Sequence, residues 1–259
     1  MSETDTLAPT PRIIPRPDGA TIAYHKIEGS NPGVVFIHGL TSDMTGGKAL
    51  ALEHYCRARG RSFVRFDCFG HGSSSGAFIE GSVGRWVEDT VAVLDELTEG
   101  PQVIVGSSMG GWVMLLAALT RPSRVAGLVG IATAADFTED IIWQALSWEQ
   151  RDALRAAGWI RVEGKDGETY DISQILIEDG RENLVLRGPI DVRCPVRLIH
   201  GLEDPDVPWQ TSMLIQERLA STDVEVTLVK GGGHRLSESH DIDRLIRTVD
   251  TMMANVQVE

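Results

Sequence analysis

Val103-Ile104-Val105-Gly106-Ser107-Ser108-Met109-Gly110-Gly111-Trp112-Val113-Met114 carries the reading of this chain. Three β-branched residues in a row read as a buried strand, and Trp112 to Leu119 reads as a helix closed before Pro122. The G-x-S-x-G between them fits a tight strand-to-helix turn with Ser108 at its apex. Residues flanking such a serine must be small, which accounts for both glycines. The hydroxyl then projects into a cleft, and the helix N-terminus offers positive potential to a developing oxyanion. The pattern alone is weak, since Gly72-Ser73-Ser74-Ser75-Gly76 also matches it. That second copy lies inside a polar loop, past its strand and before no helix. Position decides for Ser108.

Working outward, the chain alternates. Asp18-Gly19 is a hairpin signal that pairs Ile13–Arg16 with Thr21–Lys26, and Pro15 limits the first of these to an edge. Apolar runs follow at 34–37, 63–67, 125–131, 196–199 and 224–229. Helical stretches lie between them at 49–59 and 83–97, and a last one carries Ile242, Leu245, Ile246, Val249, Met252 and Met253 on one face. Unalternating apolar strands separated by helices describe a mostly parallel sheet covered on both sides. We expect one α/β domain over 1–259, interrupted by a lid insertion at 137–189. That insertion is read as helical from Asp140 to Ala156 and then rich in Gly and charge. Trp143, Trp148 and Leu146 lie in it, and Trp143 and Leu146 are candidate substrate contacts.

Composition narrows the partners. Apolar residues make up 42% of 259, enough for a large core, and 24 Lys+Arg against 37 Asp+Glu give a net charge of −13. Such a surface repels phosphate backbones and anionic headgroups, so no nucleic-acid partner and no stable membrane association are expected. Cys56, Cys68 and Cys194 form no C-x-x-C pair and read as reduced thiols. The polar, proline-rich stretch from Met1 to Pro17 has neither the apolar core of a signal peptide nor the character of a transit peptide. From these features a cytoplasmic protein is expected.

A serine hydroxyl needs a base, and the base needs an acid to fix its tautomer. Of seven histidines, His234 follows the last strand in a Gly-rich loop and comes late, as the chain order Ser, acid, His demands. His38, His71 and His200 also stand at strand ends, inside Gly-containing turns. For the acid, His200-Gly201-Leu202-Glu203-Asp204-Pro205-Asp206-Val207-Pro208 follows the penultimate strand and points to Asp204. Asp136, after the strand that ends near Ala132, is the competitor. The oxyanion donors expected are the backbone N–H groups of Met109 and of Leu40, the latter after Phe36-Ile37-His38-Gly39.

Together these residues resemble the α/β-hydrolase superfamily over essentially the whole chain, which implies the α/β-hydrolase fold. Ser107-Ser108-Met109-Gly110-Gly111-Trp112, Ala132-Thr133-Ala134-Ala135-Asp136, Pro208-Trp209-Gln210-Thr211-Ser212-Met213 and His234-Arg235 carry a closer likeness. They look like the palmitoyl-protein thioesterase family also described as mycophenolic acid acyl-glucuronide esterases. The resemblance implies a triad at Ser108, Asp204 and His234, hydrolysis of acyl esters and thioesters, and no cofactor or metal. In two places the chain departs from it: animal members have Pro-Gly for His38-Gly39 and a more polar pair for Gly232-Gly233.

The expected activity is therefore a serine esterase or thioesterase working through an acyl-enzyme on a small-molecule or acylated substrate. A peptidase, an amidase or a carbon–carbon bond hydrolase uses the same fold and triad. A non-catalytic binding protein is the reading from another class, and a missing triad member would mark it. Dehalogenase chemistry needs a carboxylate where Ser108 stands. Oligomeric state is not legible in the sequence.

Overall fold

The computed structural model describes residues 10–163 and 169–256. Residues 1–9 of the polar N-terminal stretch, 164–168 of the insertion and 257–259 lie outside the described residues. Ten strands form, in chain order: β1 (Arg12–Pro15), β2 (Thr21–Ile27), β3 (Ser30–Ile37), β4 (Arg61–Phe66), β5 (Gln102–Ser107), β6 (Val125–Ile131), β7 (Trp159–Glu163), β8 (Thr169–Ser173), β9 (Val196–Gly201) and β10 (Val224–Val229). Eight of them make one sheet in the order β1-β2-β4-β3-β5-β6-β9-β10, and β7 and β8 make a separate hairpin. From β4 to β10 every pairing is parallel; β1 and β2 are antiparallel. Pro15 closes β1 at the sheet edge, where its missing N–H costs no ladder bond.

The helices are α1 (Gly47–Ala58), α2 (Val83–Leu97), α3 (Met109–Thr120), α4 (Trp148–Ala157), α5 (Gln174–Glu182), α6 (Gln210–Arg218) and α7 (Ser239–Asn255). They cover both faces, as strands without polar alternation require. On one face Leu52, Tyr55 and Cys56 of α1 meet Leu245, Val249 and Met252 of α7 over Val34, Phe36, Val103 and Val105. On the other, Trp86 of α2, Trp112 of α3 and the insertion pack over Val35, Ile37, Ile104 and Leu128. Among the described residues no helix is long and apolar enough to cross a membrane.

The insertion between β6 and β9 differs from the single helix expected over Asp140–Ala156. A π-helical turn occupies Thr138–Trp143, and a new helix, α4, starts at Trp148. Ser147 is the reason. Its Oγ accepts from the Gln150 N–H while the Gln150 side chain accepts from the Ser147 N–H, a reciprocal cap that begins a helix afresh. Gly158 ends α4 in the left-handed region, and the chain turns into the β7–β8 hairpin and then α5. The Trp112 indole donates to the Asn183 carbonyl at 3.2 Å, and its ring meets Phe137 edge-on. Those contacts tie the insertion to the helix that follows Ser108.

Candidate active site

All the chemistry gathers at the C-terminal ends of the parallel strands. Ser108 follows β5 with φ 54° and ψ −118°, a backbone conformation that non-glycine residues rarely hold. The turn is tight because α3 folds back at once onto β3. A Cβ on Gly110 would sit 2.4 Å from the Ile37 carbonyl oxygen and 2.5 Å from that of His38. Ser108 N–H donates to the Ile131 carbonyl, and the Ser108 carbonyl accepts from Gly111 and Ala134. The strained residue is thus fixed by backbone on both sides.

The Ser108 hydroxyl lies 2.9 Å from Nε2 of His234, and Nδ1 of His234 lies 2.8 Å from Oδ2 of Asp204. Asp204 comes from the loop after β9 and His234 from the loop after β10. These loops touch through backbone: a Cβ on Gly201 would fall 2.1 Å from the Gly232 carbonyl oxygen, so only glycine lets them meet. Glu203 N–H donates to that same carbonyl at 2.9 Å. The Asp204 side chain is buried. Burial works to raise its carboxyl, but hydrogen bonding to His200 and His234, the His234 charge and the Val207 N–H outweigh it. The net effect holds the group well below the ordinary carboxylate range. Its Oδ1 accepts from the N–H groups of Asp206 and Val207 at 2.8 and 2.9 Å.

Asp136 does not face this ring. It is fully buried, and its two oxygens accept from Val185 and Leu186 N–H at 2.8 and 2.9 Å, with Arg187 3.6 Å away. It braces the end of the insertion.

The loop after β3 runs past the serine, where a Cβ on Gly39 would lie 3.4 Å from that of Ser108. Two buried histidines hold this loop. His38 Nε2 accepts from Cys68 N–H at 3.1 Å, so its proton sits on Nδ1 and is donated to the Gly39 carbonyl at 2.7 Å. Burial, and then the neighbouring His71, push His38 down to about 3, so the ring stays neutral. A trans peptide points its C=O and N–H in opposite directions, so anchoring the Gly39 carbonyl also orients the Leu40 N–H. Nε2 of His71 lies 2.5 Å from the Leu40 carbonyl. Among the described residues, neither the Leu40 nor the Met109 N–H has a protein acceptor. Unpaired donors of this kind beside the Ser108 hydroxyl have the chemistry to hold an oxyanion.

A cleft of about 900 Å³ opens over Ser108. The insertion lines it with Phe137, Ile141, Ile142, Ala145, Leu146 and Val162, an apolar wall interrupted by Gln150, Glu163, Thr169 and Tyr170. Thr41, Ser42, Asp43 and Lys48, before and within α1, and Arg235, before α7, add a polar side. Of the two candidate substrate contacts, Leu146 lines the cleft and Trp143 is not in its lining: the Trp143 ring lies under the guanidinium groups of Arg151, Arg155 and Arg181 at 4.9, 5.3 and 4.4 Å. The π-helical turn sends Ile141 and Ile142 inward in its place. Trp148 is 73% exposed and is not in the lining of this cleft. Asp204, Asp206 and His234 present ligand atoms within 4.8 Å of one another. The Asp204 and His234 atoms, however, are bonded to each other and, on Oδ1, to backbone N–H groups.

Sheet order, serine elbow and the three facing side chains define an α/β hydrolase. The sequence pattern of the Alpha/beta hydrolase family matches residues 34–248, and the chain belongs to that family. Within it, the chain is 42% identical to the protein named Palmitoyl-protein thioesterase ABHD10, mitochondrial, of Homo sapiens, over 240 residues. That match spans 92% of this chain and 78% of the human protein. The Bos taurus protein of the same name is also 42% identical, over 93% of this chain and 79% of its own length. Alpha/beta hydrolase domain-containing protein 10 from mouse superposes with a TM-score of 0.89 at 40% identity, covering 96% of this chain and all of the mouse chain. The mitochondrial names of these relatives overturn the cytoplasmic placement read from composition. Reduced thiols and an acidic surface do not distinguish one reducing compartment from another.

Sequence reasoning quoted His38, His71 and His200 but gave them no role at the site. The signal for His200 was present, four residues ahead of Asp204 in the same loop motif.

Proposed function

We propose that this hydrolase cleaves acyl esters and acyl thioesters through a Ser108 acyl-enzyme, with His234 as base and Asp204 as the acid that orients it. The Ser108–His234–Asp204 chain at 2.9 and 2.8 Å, beside a cleft with one apolar wall, carries the reading. His234 takes the Ser108 proton as Oγ attacks the acyl carbon. The oxyanion forms against the N–H groups of Leu40 and Met109. His234 then protonates the leaving group, and water repeats the sequence to release the acid.

Residues 137–189 act as a lid on a single domain, with Ile142 and Leu146 receiving the acyl chain, and the polar side takes the leaving group. A thiolate or an activated oxygen leaves more readily than an amine, so amides are poor substrates. The thioesterase names of the relatives point the same way.

A fluorophosphonate probe should label Ser108 in the wild type and nothing in Ser108→Ala. That substitution should also cost on the order of 10⁴–10⁶ in turnover. A panel of acyl esters and thioesters of graded length should show kcat/KM rising with chain length until the lid wall is filled. Labelling that persists in Ser108→Ala, or a peptide amide cleaved faster than every ester, would overturn the proposal.

A further inference from the structure

A second histidine stands on the far side of Asp204. His200, the last residue but one of β9, is fully buried, as is Ser212 in the first turn of α6. Nδ1 of His200 lies 2.7 Å from Ser212 Oγ. Nε2 lies 3.0 Å from the Val207 carbonyl oxygen and 3.2 Å from Oδ2 of Asp204. Neither oxygen has a proton to offer, because one is a carbonyl and the other belongs to a carboxylate held ionised. A proton of His200 therefore sits on Nε2, facing both oxygens, and Nδ1 is paired with the Ser212 hydroxyl.

We infer that His200, backed by Ser212, is a positioning residue for the triad, setting both the angle of the Asp204 carboxylate and the charge it offers to His234. The inference rests on the triad reading above. Oδ2 of Asp204 is the oxygen that His234 reaches at 2.8 Å, so it lies between two imidazoles. Oδ1 is pinned by two backbone N–H groups, and with His200 on Oδ2 the carboxylate has no freedom to rotate.

The charge effect has a definite sign. An N–H sharing Oδ2 draws off part of the negative charge that would stabilise the His234 imidazolium formed when Ser108 gives up its proton. Removing that donor leaves more charge for the imidazolium, so the acid limb of the pH–rate profile moves to higher pH. A histidine that merely filled the β9–α6 corner would leave the limb where it was.

The test compares three variants of the whole chain. His200→Gln places an amide N–H near the position of Nε2, whereas His200→Asn is too short to reach Asp204 and His200→Leu has no donor. Two readouts follow pH: hydrolysis of 4-nitrophenyl butyrate and the rate of fluorophosphonate labelling. Whichever of the Asn and Leu variants folds should lose about tenfold in kcat with KM little changed, and its acid limb should rise by about half to one pH unit. His200→Gln should restore most of the rate and return the limb to its wild-type position. A folded Asn or Leu variant with an unmoved limb would overturn the inference. So would a Gln variant as impaired as the others, or failure of both donor-deleted variants to fold. Wild-type labelling away from Ser108 would instead sink the triad reading itself, before any variant is compared.

Discussion

Replacing Asp204 and Asp136 each by Asn separates the acid that serves His234 from the acid that serves the fold. At 204 the amide oxygen must stay with the Asp206 and Val207 N–H groups, because an NH₂ cannot accept from them. The NH₂ is then left facing Nδ1 of His234, which must become an acceptor. The His234 proton moves to Nε2, opposite the Ser108 hydroxyl, and the base can no longer take a proton. A wrong tautomer of this kind costs on the order of 10⁴ in kcat, about 5.5 kcal/mol of barrier, with the fold intact. At 136 the two carboxylate oxygens serve different donors, Val185 and Leu186 N–H. One of these must meet the new NH₂, which leaves a buried donor unsatisfied at about 1–3 kcal/mol. At this chain length that is roughly 2–4 °C of melting temperature per kcal/mol. The assay pairs steady-state hydrolysis of a 4-nitrophenyl ester with thermal melting. Asp204→Asn should lose rate and keep most of its melting temperature; Asp136→Asn should lose stability and keep most of its rate. The reverse pattern would refute the reasoning.

Two further outcomes follow from particular side chains. Leu146 is buried on the apolar wall of the cleft, so Leu146→Trp should fill the acyl side. Esters of long acids should then lose tenfold or more in kcat/KM relative to the butyrate; an equal loss at every chain length would place the acyl group elsewhere. Asp89 is a buried carboxyl that burial raises to about 6, against the Phe69 N–H, Arg85 and Arg16 that favour its charge. A raised folded value means that the native state holds this proton more tightly than the unfolded chain. Its contribution is therefore fully present below about pH 4 and is lost as pH rises through 6. Asp89→Asn keeps an acceptor for Phe69 N–H, so its melting temperature should gain on the wild type between pH 4 and 7; a difference that stays flat across that window would exclude the mechanism.

The sheet was legible because its strands are short apolar runs that admit one environment, buried on both faces. Ser108 was legible because a tight turn leaves glycine signatures in sequence, and the false match at Ser74 lacks the flanking strand and helix. The insertion was less legible, for identifiable reasons. Residues 140–156 have one helical composition throughout, and only the Ser147–Gln150 cap divides them. Ahead of that cap, the π-helical turn at 138–143 brings Ile141 and Ile142 to the cleft while Trp143 goes under three arginines. The β7–β8 hairpin alternates in the manner of a strand pair, with Ile160 and Val162 between polar neighbours, but its charge masks the pattern.

Histidine roles mark the limit of sequence reading at this site. Four histidines lie at or after the C-terminal ends of parallel strands, and chain order alone ranks His234 first. What separates them physically is the partner on each ring nitrogen. His38 gives its proton to the Gly39 carbonyl and so orients a peptide; His200 turns its proton toward Asp204; His234 keeps Nε2 for Ser108. Each arrangement is fixed by groups outside the histidine's own turn: Cys68 N–H for His38, the Val207 carbonyl and Asp204 carboxylate for His200, and Asp204 for His234. A nucleophile leaves its mark on the residues beside it. The partners of the histidines around it are settled only by folding, because they come from separate parts of the chain, the turns after β4 and β9 among them.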